Sequence, residues 1–165
     1  MGDAVRQKVE VSAIHLGLSA EEAYKVLRDV ESHEQLTDAI RNVHLERDED
    51  GGQVSFWELR LQSGTLRWSQ YDEHDDDNHR IRFHRRDGDP VAFEGEWSAV
   101  EVPEGCRIGF DCELNVTIQP LTEALDPIVA RMLREGITEH LEGVFGPELL
   151  VDRSEPREPV PTVGI

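Results

Sequence analysis

The sequence predicts an α+β fold, an antiparallel sheet covered by one long C-terminal helix, with two short helices after the first strand. Three observations carry this. Between Asp126 and Phe145, Ile128, Val129, Met132, Leu133, Ile137, Leu141 and Val144 recur at steps of three and four, with Arg131, Arg134, Glu135, Glu139 and Glu142 on the other side. From Ile40 to Ile118 the period is two, and polar turns divide the run into strands. A sheet with one apolar face needs a cover, and the long helix is the element able to supply it.

The elements follow in order. Val5, Val9, Val11 and Ala13 alternate with Arg6, Lys8, Glu10 and Ser12 as a first strand. Ser19 with Glu22 three residues later forms a capping box, opening a short helix whose stripe is Ala23, Val26, Leu27 and Val30. Glu31 to Ala39 reads as a second short helix or turn and contains His33. Val43 and Leu45 begin a strand that ends at the turn Asp48 to Gly52. Val54 to Leu61 and Thr65 to Asp72 are strands joined at Gln62-Ser-Gly64, and Asp72 to Asn78 is the next turn. Ile81 and Phe83 mark a short strand closed by Asp87 to Pro90. Phe93, Gly95, Trp97 and Ala99 form another, turned at Pro103-Glu-Gly105. Cys106 to Ile118 is the cleanest strand, alternating throughout. Asp126-Pro127 marks the start of the long helix and Gly146-Pro147 its end. Residues 1–147 are expected to form one domain, and 148–165 a flexible Pro-rich tail.

Composition narrows the function. The 165 residues hold 35 acidic and 17 basic side chains, a net charge of −18, which disfavours nucleic acid and anionic membranes as partners. No apolar run is long enough to span a membrane. The N-terminus lacks a signal-peptide layout, and Cys106 and Cys112 share a strand face too far apart to pair. The expectation is a cytoplasmic protein with reduced thiols. The acidic run Asp72 to Asn78 lacks the glycine and distal glutamate of a calcium loop, so no metal is expected. Fingerprints for phosphate, dinucleotide or serine-nucleophile chemistry are missing as well.

Ala20-Glu-Glu-Ala23 with Val26-Leu-Arg-Asp-Val30, the strand Phe93-Glu-Gly-Glu-Trp97, and Trp68 in an earlier strand resemble the START-like (SRPBCC) superfamily, in particular polyketide cyclase/dehydrase (aromatase/cyclase) relatives. The resemblance covers roughly Val9 to Phe145. It implies the helix-grip fold, a curved antiparallel sheet of about seven strands wrapped around the C-terminal helix. It also implies an apolar cavity for a poly-β-ketone or aromatic intermediate, aldol cyclisation and dehydration, and no cofactor. The alternative is a non-catalytic carrier of a quinone, lipid or aromatic metabolite. Two departures stand out: Glu31-Ser-His33-Glu34 replaces an aromatic-proline pair, and Gln70 and Asp72 stand where some relatives place a cavity arginine.

The candidate lining of that cavity is Phe56, Trp68, Phe83, Phe93, Trp97, Phe110, Met132 and Gly136, since aromatic rings give large contact with planar ligands. Arg60, Gln70, Asp72 and His140 are the catalytic candidates, with Arg82 or Arg85 as further substitutes for the cavity arginine. A carboxylate or imidazole in an apolar pocket is suited to proton transfer. The phase of residues 54–61 is open, because Phe56, Glu58 and Arg60 compete with Trp57, Leu59 and Leu61 for the inner face. If substrate arrives on an acyl carrier protein, which is acidic, docking needs a local basic patch. Arg80, Arg82, Arg85 and Arg86 are the candidates for it.

Overall fold

The computed structural model describes residues 7–61, 64–90, 92–115 and 122–153. Strand β1 (Gln7–His15) is followed by helices α1 (Ala20–Arg28) and α2 (Val30–His33). A meander follows: β2 (Ile40–Arg47), β3 (Gln53–Leu61), β4 (Gly64–Asp75), β5 (Arg80–Gly88), β6 (Ala92–Val102) and β7 (Gly105–Asn115). Helix α3 (Thr122–Phe145) and a short β8 (Leu149–Val151) complete it. All eight strands join one antiparallel sheet in the order β2-β3-β4-β5-β6-β7-β1-β8. This is the curved sheet and long helix of the helix-grip fold.

Short turns make each meander strand pair with its neighbour. The first strand then closes onto the last, from Gln7 opposite Leu114 to His15 opposite Cys106. Both strands present one apolar face, and both faces are buried: Val9, Val11 and Ala13 on β1, and Cys106, Ile108, Phe110, Cys112 and Leu114 on β7. Helix α3 packs against β1, β3, β7 and β8, while α1 lies on β6 and β7. Both cysteines are free, and burial pushes both thiols above their ordinary pKa. No helix among the described residues is long and apolar enough to cross a membrane.

The Ser19–Glu22 capping box forms as the sequence predicts. Other boundaries differ. Helix α3 begins at Thr122, so Asp126-Pro127 lies inside its first turns instead of starting it. Proline forfeits one backbone hydrogen bond there, because it stands beyond the first four residues, whose N–H groups lack a partner within any helix. Ile128 is exposed while Ala130, Leu133, Ile137 and Leu141 are buried. At about 100° per residue Ile128 stands on the opposite side of the helix from Ala130, so it does not belong to the inner stripe. Strand β4 continues to Asp75, three residues into the acidic turn predicted from Asp72. The expected Pro-rich tail starts with ordered chain, for Leu149–Val151 pairs with β1. Val116, Ile118 and residues 154–165 lie outside the described residues.

One histidine fastens the frame where β1, α1 and α3 meet. Nδ1 of His15 accepts the N–H of Gly17 at 3.0 Å and of Leu18 at 3.1 Å, and its Nε2–H points to the Phe145 carbonyl at 3.3 Å. Both ring nitrogens of this buried histidine therefore have partners.

Gly95 marks the closest strand approach. A Cβ there would stand 2.0 Å from the Asp111 carbonyl oxygen and 2.7 Å from the Cys112 Cα, whereas at Gly64 nothing lies within 4 Å. Gly95→Ala should therefore destabilise the fold by about 1–3 kcal/mol, the usual range for overpacking. Gly64→Ala should stay within about 0.5 kcal/mol of the parent. Urea denaturation of both variants checks the contrast.

Candidate functional site

The inner face of the sheet carries a closed circuit of rings. Trp57 of β3 lies parallel to Trp68 of β4, with centroids 5.9 Å apart and 3° between planes. Trp68 meets Phe93 at 5.1 Å, and Phe93 meets Phe83 at 5.1 Å. Phe83 meets Phe110 at 5.7 Å, and Phe110 meets Trp97 at 4.5 Å. Trp97 meets His140 of α3 at 5.6 Å, and His140 returns to Trp57 at 5.9 Å. Each ring is at most 6% exposed. Five of the predicted lining residues (Trp68, Phe83, Phe93, Trp97 and Phe110) and the candidate His140 thus come together, drawn from four strands and a helix.

Phe56 does not. It lies half-buried on the other face, stacked on His44 at 4.5 Å with the Arg86 guanidinium 5.7 Å above its ring. Its neighbour Trp57 takes the inner place. The reason is register: Trp57 stands opposite Trp68 in the β3–β4 ladder, and directly opposed residues share a face. Arg60 follows Phe56 in phase and is exposed. On α3, Gly136 is buried one turn before His140, and Met132 is half-buried.

Polar groups on the inner phase are already linked to one another. The indole N–H of Trp57 donates to Ser55 Oγ at 2.9 Å, and that of Trp68 to Gln70 Oε1 at 2.7 Å. Gln70 Nε2 donates to Asp72 Oδ1 at 2.7 Å, and Gln53 Nε2 donates to Asp72 Oδ2 at 3.1 Å. A flipped Gln70 amide would set oxygen against carboxylate, so Asp72 fixes its orientation. The inward phase of Gln70 and Asp72 agrees with the sequence reading; Gln70 is buried and Asp72 half-buried.

A second histidine, which sequence reasoning did not place among the site residues, holds the first. His33 Nδ1 lies 2.9 Å from His140 Nε2, and His33 Nε2 lies 2.6 Å from the Val26 carbonyl. Desolvation lowers the pKa of both, His140 the more, so both are neutral at pH 7. A carbonyl only accepts, so His33 carries its hydrogen on Nε2 and offers a lone pair at Nδ1. His140 then donates from Nε2, and its own Nδ1 is a bare acceptor. That atom is the one buried side-chain nitrogen or oxygen without a hydrogen-bond partner among the described residues. Such an orphan costs about 1–3 kcal/mol. The signal in the sequence was a histidine within each of two apolar segments, but nothing local shows that they meet.

The four arginines do not form one open patch. Arg80 and Arg82 share Glu96 at 3.3 and 3.8 Å. Arg85 is half-buried and donates from Nε to the Pro90 carbonyl and from a terminal nitrogen to Gly88 O at 3.2 Å. Arg86 covers Phe56. Of Arg60, Arg82 and Arg85, only Arg85 shares the phase of the inner residues Ile81 and Phe83 on β5, and the β5–β6 turn takes two of its five N–H donors. Among the described residues no three of His, Cys, Asp and Glu converge as metal ligands. A groove of about 780 Å³ between β1 and the outer flank of α3 is polar and lies apart from the rings.

Residues 16–141 match the model of the family described as polyketide cyclase/dehydrase and lipid transport. No curated protein matches the chain in sequence. Several solved structures share the fold. A Thermus thermophilus protein superposes with a TM-score of 0.75 at 23% identity, over 84% of this chain and 94% of the other. The Zhui aromatase/cyclase of a Streptomyces species gives 0.73 at 14% identity, over 86% and 94%. A START superfamily protein of Mycobacterium smegmatis gives 0.62 at 20% identity, over 84% and 94%.

Folding that favours the neutral form of a histidine means that the unfolded chain binds more protons below the ordinary value of 6.5. His33 and His140 therefore subtract stability as pH falls from 7.5 to 5.5. His140→Phe should make that fall shallower, by up to about 1.4 kcal/mol per pH unit for one proton. Urea denaturation of parent and variant across this range tests it; parallel curves would mean that the ring titrates normally.

Proposed function

Because the chain belongs to the polyketide cyclase/dehydrase and lipid transport family, we propose that it binds a poly-β-ketone or aromatic intermediate within the ring circuit and promotes its aldol cyclisation and dehydration. The observation that supports this reading is the circuit itself. Seven rings on six elements, closed by a histidine from the covering helix, offer flat apolar walls to a planar or folding chain. The similarity to an aromatase/cyclase structure points the same way.

The chemistry asks little beyond positioning. A base removes a proton from a methylene between two carbonyls, and the electron pair becomes an enolate. The enolate carbon attacks a second carbonyl carbon, the new alkoxide takes a proton, and loss of water followed by enolisation of the remaining ring ketones gives the aromatic ring. Holding the two reacting carbons together supplies much of the rate. In this reading Gln70, oriented by Asp72, has one amide hydrogen left to donate to a substrate carbonyl.

A carrier of a hydrophobic small molecule is the second reading, and one observation favours it. Arg85, the inner-phase arginine of β5, spends two of its donors on backbone carbonyls, and the arginines seen over aromatic rings among the described residues, Arg28 on Tyr24 and Arg86 on Phe56, lie outside the circuit. Delivery by an acidic carrier protein finds little support in Arg80 and Arg82, which Glu96 already neutralises in part.

Incubation with a minimal ketosynthase system should shift the products toward cyclised aromatics. An unchanged profile across several chain lengths would contradict the cyclase, and a stoichiometric ligand released unchanged in native mass spectrometry would support the carrier. Gly136→Leu, on the stripe of α3 one turn before His140, should weaken ligand binding about tenfold or more while the fold persists. Retained affinity would mean that Gly136 faces away from the ligand.

A further inference from the structure

The circuit shows a ligand two kinds of polar group. Both indole N–H groups on the β3–β4 side are engaged, Trp57 with Ser55 and Trp68 with Gln70. His140, between Trp57 and Trp97, is 1% exposed, and its Nδ1 meets no donor. Among the described residues the one buried side-chain atom without a partner in this interior is therefore an acceptor, which calls for a donor. Carbonyl and ether oxygens cannot supply one; a hydroxyl can.

We propose that His140 Nδ1 receives the O–H of a phenolic or enolic hydroxyl on the bound molecule, so that the interior selects planar hydroxyl-bearing ligands over their ketonic or O-methyl counterparts. This rests on the reading that the ring circuit is where a ligand binds. His33 is the positioning residue. Its Nε2–H is committed to Val26 O, so its Nδ1 takes the hydrogen of His140 Nε2. The other tautomer of His140 would set two lone pairs against each other at 2.9 Å. The pair therefore fixes which nitrogen is bare, and fixes it as an acceptor. The same contact can carry a proton: the O–H bond breaks, its electron pair stays on oxygen as an enolate or phenolate, and Nδ1 gains the hydrogen. No oxidant or other reactant is needed.

Two probes differing by one methyl group test this, β-naphthol and its methyl ether, with intact protein labelled with nitrogen-15 at histidine. In the free protein His140 Nδ1 should give the resonance of an unprotonated ring nitrogen. β-Naphthol should bind about tenfold more tightly than the ether, the ratio expected of one added hydrogen bond, and only β-naphthol should move the Nδ1 resonance. His140→Phe should abolish the preference while retaining affinity for the ether. His33→Leu, which removes the acceptor for Nε2–H, should leave His140 as a mixture of two tautomers. Equal binding of both probes with an unmoved Nδ1 resonance would overturn the hydroxyl contact and leave the binding reading intact. Failure of both probes to bind would overturn both. Should either variant fail to fold, the spectra of the parent protein alone decide.

Discussion

Trp57 and Trp68 face one another across the β3–β4 ladder, and that register constrains everything on the inner face. Side chains alternate with a period of two, so a slip of one residue would turn Phe56 and Arg60 inward and send Trp57 and Leu59 out. With the indoles paired inward, Ser55 lies beside one N–H and Gln70 beside the other. The outer face then collects what remains: Phe56 on His44, Arg86 on Phe56, and Glu58 with Arg67 at 3.4 Å. One pairing thus separates a polar exterior that carries ion pairs from an interior of rings.

The covering helix is docked on that interior through several kinds of contact. Apolar burial of Leu133, Ile137 and Leu141 supplies the bulk of its attachment. His15 ties its C-terminal end to β1, and His33 ties it to α2 through His140, in its last third. Gly143 lets the segment after α2 come close, since a Cβ would stand 2.5 Å from the Thr37 side chain. The cost of an unpartnered nitrogen at His140 is carried by this docking. An apolar residue would remove that cost, so the imidazole is better explained by what it can contact than by what it stabilises.

Much of the fold was legible because its signals are local. The alternation from Cys106 to Leu114, the capping box at Ser19 and the inner stripe around Leu133 to Leu141 each follow from periodicity. The phase of β3 was not legible, because both of its faces carry an aromatic residue and only the partner strand decides between them. The start of α3 was misread because Asp126-Pro127 imitates a helix N-terminus. Strand β8 is three residues long and begins two residues after Pro147, so no periodicity could reveal it. The pairing of His33 with His140 joins residues 107 positions apart, a separation at which sequence pattern carries no information. His140 itself was visible as a polar ring on an aliphatic stripe.

The claim on which the functional reading turns is that the ring circuit accommodates a planar molecule. A crystal structure of the protein soaked with a hydroxyanthraquinone addresses it directly. The account predicts the polycycle among Trp57, Trp68, Phe93 and Trp97, with an oxygen within hydrogen-bond distance of His140 Nδ1. A ring cluster packed as before, with the molecule absent or lodged only in the groove outside α3, would contradict it.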